Sequence, residues 1–376
     1  MNLLFVIHDG QRTGSNVLLL RTVGWLKKQS EIGASFLFLN SGPLIDEFSG
    51  LGEIVFWSDY EPIGSEPKSL SSRIKTWFRR KKLQKLFLDK NINLIYANTL
   101  LSSPVFAVLK SWTGVKVVWH IHELENAIQV LGSHRLDTHE MADHIIANSA
   151  STKRNLIEMH GISSDKISIH FPFFDAPKAT VFLKSDVRKL LKLSPQSFIV
   201  GAAGTTITRK GSENFIILAD TYRQLHPGDE VVFVWLGSRH FSHDTTKDLQ
   251  KMNLGNIQFI DEVSNPADYY RAFDLFVSTS KEESFGLAAL EAAKLGTPIM
   301  GFEHSGGLEE LLSAANGVAV PYLNLLKMTE EIKRAYSKEY PRKSDTNVTD
   351  FESSRVFSSA ECCPLLHQEL LRLVST

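Results

Sequence analysis

The 376 residues are enough for two domains with separate cores, and 43% hydrophobic against 22% charged residues is the balance of a globular protein. A net charge of −1 and the lack of any run of eighteen apolar residues argue against a broadly basic nucleic-acid binder and against a membrane-spanning helix. The two cysteines, Cys362 and Cys363, are adjacent and can form neither a disulfide framework nor a thiolate metal site, so a reducing, cytoplasmic setting is expected.

The N-terminal apolar run Leu3–Ile7 lacks a basic leader and is broken by His8-Asp9, so it reads as a first strand and not as a signal peptide. The loop after it, His8 to Asn16, contains Asp9, Gly10, Arg12 and Gly14, and a helix is expected from about Asn16 to Lys28. Strand, glycine-bearing loop and helix form a geometry in which a phosphate can approach the backbone, although many such glycines serve only a turn. Apolar runs at 35–39, 54–57, 94–97, 116–121, 144–147 and 167–171 then alternate with helical stretches, which predicts a parallel sheet covered on both faces. Two of these strands end in polar residues: Asn98-Thr99, and Trp119-His120-Ile121-His122-Glu123. Alternation puts His120 and His122 on one face at the carboxyl end of their strand, where α/β sheets bind ligands. Metal ligands, satisfied structural histidines and substrate contacts all remain open for them. Asn148-Ser149 signals an N-capped helix, and residues 176–196 read as a linker of mixed polarity, with the domain boundary placed at 180/181.

The second half opens on another strand, glycine turn and helix: Phe198–Ala203, then Gly204-Thr205, then Arg209-Lys210-Gly211 before a helix through Phe215, Ile216 and Leu218. Two cations at a helix mouth suit a diphosphate, though a solvated Arg-Lys turn would read the same way. After strands at 231–237 and 257–260, the apolar run Leu275–Val277 ends in Ser278-Thr279-Ser280, and a helix is expected near Gly286, stopping at Gly296 with Pro298 beyond. Glu283 lies in the loop before this helix and Glu291 about two turns inside it, so both carboxylates can address one pocket and accept from sugar hydroxyls. A strand at 298–302 leads to Gly306-Gly307, residues 322–338 read as a helix, and a last helix is expected over about 358–373.

The string Glu283-Ser284-Phe285-Gly286-Leu287, three residues, Glu291-Ala292, three more, Gly296-Thr297-Pro298, and then Gly306-Gly307 with Glu310, closely resembles the signature of glycosyltransferase family 4. The resemblance implies an α/β chain of GT-B type, two Rossmann-like parallel-sheet domains facing across a cleft, at 1–180 and 181–355, with 356–376 crossing back to the first. It also implies a retaining transferase that takes sugar from a nucleoside diphosphate-sugar and gives it to a glycan or lipid-linked acceptor, in cell-surface polysaccharide or glycolipid synthesis. Donor-binding residues would be Gly14, Gly204, Thr205, Arg209, Lys210, Glu283, Ser284, Phe285, Gly286, Leu287 and Glu291, with His122, Lys210 and Glu283 carrying the catalysis. Acceptor-side candidates are Asp9, Arg12, Asn98 and His120. The family's arginine after the glycine of the second lobe is missing, because Thr205 stands there, and Arg209 is the candidate replacement. No Asp-x-Asp triplet occurs, so no metal cofactor is expected. Other enzymes of the same fold, an epimerase or a phosphorylase, and a non-catalytic partner subunit are the rival readings.

One stretch stands apart in charge. Residues 68–90 hold nine Lys or Arg against one Asp. On a helical wheel Leu70, Ile74, Trp77 and Phe78 share one face, while Leu83, Leu86 and Phe87 fall roughly opposite. The second set is expected to pack on the first domain and to leave Trp77 and Phe78 in a basic field. That arrangement suits peripheral contact with an anionic membrane, on its inner face, against the alternative of a kinked, solvated helix.

Overall fold

A computed structural model describes residues 1–29, 31–60, 70–177, 183–238, 255–338, 351 and 355–375. The chain forms two compact units, Met1–Pro172 together with Ser359–Thr376, and Phe173–Ser358. The boundary expected at 180/181 falls outside the described residues.

The first unit is built on seven strands: β1 Asn2–Ile7, β2 Gly33–Phe38, β3 Glu53–Phe56, β4 Leu94–Asn98, β5 Lys116–Ile121, β6 His144–Ala147 and β7 Ile167–Ile169. They lie in the order β3-β2-β1-β4-β5-β6-β7 with every pairing parallel. Its helices are α1 Gly14–Gln29, α2 Ile45–Ser49, α3 Leu70–Asp89, α4 Ser103–Thr113, α5 Glu125–Leu131 and α6 Ala150–Glu158. The strands are apolar along their length because helices cover both faces. One face buries Leu4, Val6, Ile95, Trp119 and Ile145 with Leu83 and Phe87 of α3. The other buries Phe5, Phe36 and Tyr96 with Leu19 and Val23 of α1. Ser149 caps α6 by accepting from the backbone N–H of Thr152, as the Asn-Ser signal predicts.

The second unit carries β8 Phe198–Ala203, β9 Val231–Leu236, β10 Ile257–Ile260, β11 Leu275–Ser278, β12 Ile299–Phe302 and β13 Val318–Val320, in the parallel order β10-β9-β8-β11-β12-β13. Its described helices are α7 Lys184–Leu190, α8 Ser212–Leu225, α9 Pro266–Ala272, α10 Leu287–Lys294, α11 Leu308–Ala314 and α12 Leu325–Tyr336. Two elements differ from the sequence reading. The stretch read as linker contains α7, which Arg188 anchors by donating to Asp274 at 2.8 Å. The three-residue strand β13 is too short to show a period of its own.

The last helix, α13 Ser359–Ser375, belongs to the first unit. Leu366, Leu370 and Leu373 join the core on the α1 side of the first sheet. Glu369, in the same helix, accepts from Ser168 at 2.8 Å, lies 2.7 Å from His144 Nε2, and pairs with His170. Burial would raise the Glu369 carboxyl, but its hydrogen bonds to His144, His170 and Ser168 outweigh that and hold it well below the usual range. In both sheets the strand order reverses next to the first strand of the unit, between β1 and β4 and between β8 and β11. Such switch points open crevices at the carboxyl ends of the strands.

Candidate functional site

At the switch point of the second unit, backbone packing brings two loops together. Gly211 adopts φ +68 as the residue before α8, and a Cβ there would lie 1.9 Å from the carbonyl oxygen of Thr279. Thr279 returns the contact, its hydroxyl donating to Gly211 O at 2.8 Å. The loop after β8 is thereby fixed against the loop after β11, and Lys210 meets Glu283 with Nζ 2.5 Å from Oε2. Ser280 also donates to that carboxylate at 3.3 Å. Glu283 is held from the far side as well, since its backbone N–H donates to Ser305 O at 2.7 Å in the loop after β12.

Burial pushes the Lys210 ammonium below its usual pKa, with Arg209 adding to the shift and Glu283 opposing it. For Glu283, burial works to raise the carboxyl, but Lys210, Arg209 and the hydrogen bonds outweigh it and hold it below the usual range. Nζ and Oε2 thus stand at ion-pair distance, both mostly out of water. Arg209 is pinned by donating to Glu282 O at 3.0 Å, beside the pair.

A small pocket opens here, lined by Lys210, Ser280, Glu283, Gly286, Leu287 and Ala289 among others. Gly286, at φ +95, precedes α10, so backbone N–H groups at the start of that helix border the pocket. Of the other expected donor residues, Gly204 lies alongside the Lys210 stem, 3.8 Å from a Cβ position to Lys210 Cδ. Thr205 Oγ1 is 3.4 Å from Ser238 Oγ. Phe285 is buried in the core, edge-on to Phe357 at 5.0 Å, so only its backbone is available to a ligand. Ser284 is half-buried. Glu291 is buried inside α10 at 7% exposure and is not among the pocket-lining residues.

The first unit presents its own cluster at the β1/β4 switch point. Register places Ile7 beside Asn98 and Asn98 beside His120. His122, half-buried just past β5, sets Nε2 3.0 Å from Asn98 Oδ1. Its ring lies 3.9 Å from that of His120, whose Nδ1 is 2.6 Å from Tyr96 Oη. Burial lowers His122 to a pKa of about 3, and burial, His122 and His170 hold His120 well below its ordinary value. Both rings are neutral at physiological pH. Glu123 ties the two strand ends together, accepting from His122 N at 2.8 Å and from Leu100 N at 3.0 Å.

The acceptor-side candidates separate by exposure. Asn98 and His120 are 1% and 5% exposed, and both contact His122. Asp9 is half-buried and engaged with His8, Gln11 N and Asn16. Arg12 is exposed and pairs with Glu47. Gly14 is exposed at the first position of α1, which starts two residues before the sequence suggests. Sequence reasoning missed Asn16 and Ser280. Asn16 reaches Asn98, 82 residues away, while Ser280 donates to Glu283 three residues on; neither contact is set by a spacing that the sequence makes recognisable. Among the described residues no group of three or more His, Cys, Asp or Glu is placed to hold a metal ion.

Comparison with known proteins agrees with this picture. Residues 54–176 match the model of Glycosyltransferase Family 4, and residues 197–338 match that of Glycosyl transferases group 1. A D-inositol 3-phosphate glycosyltransferase of Paenarthrobacter aurescens is 29% identical over 177 residues, 46% of this chain and 43% of that protein. The lipopolysaccharide core biosynthesis mannosyltransferase LpsB of Rhizobium meliloti is 29% identical over 183 residues, 46% of this chain and 49% of that one. The chain thus matches about half the length of these curated relatives. Among solved structures, Anabaena HepE in complex with UDP and glucose superposes with a TM-score of 0.81 at 19% identity, covering 99% of this chain and 100% of that one. Sucrose-phosphate synthase from Thermosynechococcus elongatus gives 0.76 at 19% identity, covering 100% of each chain. Those two likenesses speak for the architecture, and the two family models match most of each unit's residues. The chain belongs to glycosyltransferase family 4 and has the GT-B fold.

Proposed function

We propose that this chain transfers a sugar from a nucleoside diphosphate-sugar to an acceptor hydroxyl, with retention at the anomeric carbon and without a metal. The observation that carries the reading is the Lys210–Glu283 pair, with Arg209 beside it, at the mouth of α10. When the bond between the anomeric carbon and the phosphate oxygen breaks, its electron pair stays on the diphosphate. A buried cation already fixed at that point stabilises the developing charge without reorganising. Glu283 accepts from the sugar hydroxyls once the donor's phosphate competes for Lys210. The acceptor oxygen bonds to the anomeric carbon, and its proton passes to the leaving phosphate. Arg209 supplies the second cation in place of the arginine that Thr205 replaces, and His122 orients a hydroxyl of the sugar or the acceptor.

Because HepE was solved with UDP, glucose and UDP-glucose, a UDP-hexose is the first donor to test. The mannosyltransferase and inositol 3-phosphate relatives point to a polyol or glycan acceptor and to cell-surface synthesis. A thermal-shift panel of nucleoside diphosphates and their sugars tests the donor class. Stabilisation by a diphosphate nucleotide and by its sugar supports it, and indifference to all of them would favour a non-catalytic subunit. Product analysis with and without acceptor separates transfer from epimerisation and phosphorolysis.

A second reading, peripheral docking on an anionic membrane, is favoured by α3. Trp77 and Phe78 are 53% and 61% exposed, while Leu83 and Phe87 of the same helix are buried in the first unit. Arg73, Lys75, Arg80, Lys81 and Lys82 are exposed around them. No helix among the described residues is long and apolar enough to cross a membrane, so this contact would be interfacial, on the cytoplasmic side and near a lipid-linked acceptor.

A further inference from the structure

We propose that Asn98 is a positioning residue: it holds His122 in the Nε2–H tautomer, so that Nδ1 is left as an acceptor for a ligand hydroxyl. This deepens the proposed role of His122 and rests on it. The assignment follows from a chain of hydrogen bonds anchored at groups that can only accept.

The chain starts at Asn16, which is 4% exposed. Its Nδ2 lies 2.9 Å from Asp9 O, 2.9 Å from Gln11 O and 3.3 Å from Asp9 Oδ1. Two are backbone carbonyls. The third belongs to a carboxyl held below its usual pKa chiefly by the hydrogen bond from His8, so it is ionised. None of the three can donate, and the amide must therefore present its NH2 group to them. Asn16 Oδ1 is then the atom turned toward Asn98, whose Nδ2 stands 3.2 Å away. Asn98 must donate there, which turns its own Oδ1 toward His122 Nε2 at 3.0 Å. A carbonyl oxygen accepts only, so Nε2 carries the hydrogen.

His122 is neutral and has a single N–H to place, so Nδ1 keeps its lone pair. Nδ1 makes no hydrogen bond with any described residue. The ring is held by the Nε2 contact to Asn98 Oδ1 at 3.0 Å and packs against the His120 ring, centroids 3.9 Å apart and planes tilted by 36°. An imidazole nitrogen fixed as an acceptor suits an O–H donor, the hydroxyl of a sugar or a polyol. It does not suit a phosphate or carboxylate oxygen. The ligand class at this point is therefore a hydroxyl, and the three buried or half-buried side chains behind it exist to keep that preference.

Long-range proton–nitrogen correlation spectra of the full chain labelled with 15N-histidine distinguish the two neutral tautomers, and His122→Gln assigns the signals. The wild type should show His122 as Nε2–H alone. Asn98→Leu removes the acceptor and should let the Nδ1–H form appear, with kcat lowered roughly tenfold, about the worth of one misplaced hydrogen bond. Asn98→Asp keeps an acceptor on Nε2 and should preserve the tautomer. The new carboxylate should raise the pH at which His122 titrates by at least one unit, in a setting that also contains Asp9, His8, His120, Glu123 and His170. Should Asn98→Leu fail to fold, the wild-type spectrum and the Asn98→Asp titration still decide. An Nδ1–H signal in the wild type, an unchanged tautomer in folded Asn98→Leu, or an unmoved titration in Asn98→Asp overturns the proposal. A correct tautomer in a chain whose His122→Gln variant keeps full turnover would instead remove the role of His122 in the reaction.

Discussion

Gly211 and Thr279 are in backbone contact so close that the first has no room for a side chain, a Cβ falling 1.9 Å from the Thr279 carbonyl oxygen. This contact seats Lys210 against Glu283, because it sets the distance between the loops that carry them. The proposed donor site thus depends on a glycine that need touch no ligand.

Gly211→Ala should cost about 2 kcal/mol or more, from the left-handed backbone and from displacement of the Thr279 loop. Thermal melts should show a fall of several degrees, and nucleotide binding should weaken with it. An alanine variant with native melting and native affinity would mean that the two loops are registered by something else.

Glu369→Gln should destabilise the first unit by roughly 1.5–3 kcal/mol at neutral pH, the worth of a hydrogen bond to a buried charged group. The carboxyl has a lower pKa folded than unfolded, so its contribution is fully present above the ordinary glutamate value near 4.5 and fades as pH falls through the folded value. Denaturant melts of wild type and variant should therefore differ most above about pH 4.5 and converge below it. A difference that grew on acidification would contradict the assignment.

Much of this architecture was legible in the chain. Buried parallel strands are continuous apolar runs, so β1, β4, β5, β6, β8 and β11 stand out by composition, and Gly296 with Pro298 marks the end of α10. The Lys-Gly and Glu-x-x-Gly strings announced a site because each lies at a strand–loop–helix junction. Local pattern could not show how these segments meet. Asn16 reads as an ordinary polar residue near a helix start, yet it orients Asn98, 82 residues away. His144 and His170 read as strand-end polar residues until Glu369 arrives from the last helix. Glu291 is buried within α10 at 7% exposure, a depth that its spacing from Glu283 could not show.

The exposed aromatic face of α3 makes the membrane reading testable with vesicles. Co-sedimentation should rise with the fraction of anionic lipid and fall with salt, since each nearby Lys or Arg adds about 1 kcal/mol. A Trp77→Ser, Phe78→Ser double variant should lose most of the binding while melting like the wild type, as neither side chain is in the core. Binding indifferent to lipid charge would rule the docking out.

Turnover should persist in excess EDTA if Lys210 and Arg209 neutralise the leaving diphosphate without a divalent ion. A sharp loss that magnesium or manganese restores would overturn the metal-free account.

The most direct test of the donor site is Lys210→Ala, assayed as release of nucleoside diphosphate from a nucleotide-sugar in the presence of acceptor. Losing a preorganised charge aimed at a leaving group costs roughly 10²–10³-fold in kcat. The account predicts a fall of that size in a variant that still folds, with Glu283→Gln also impaired because the charged acceptor and one of its two oxygens are lost. Near-wild-type turnover in Lys210→Ala would contradict it and move the diphosphate elsewhere in the second unit.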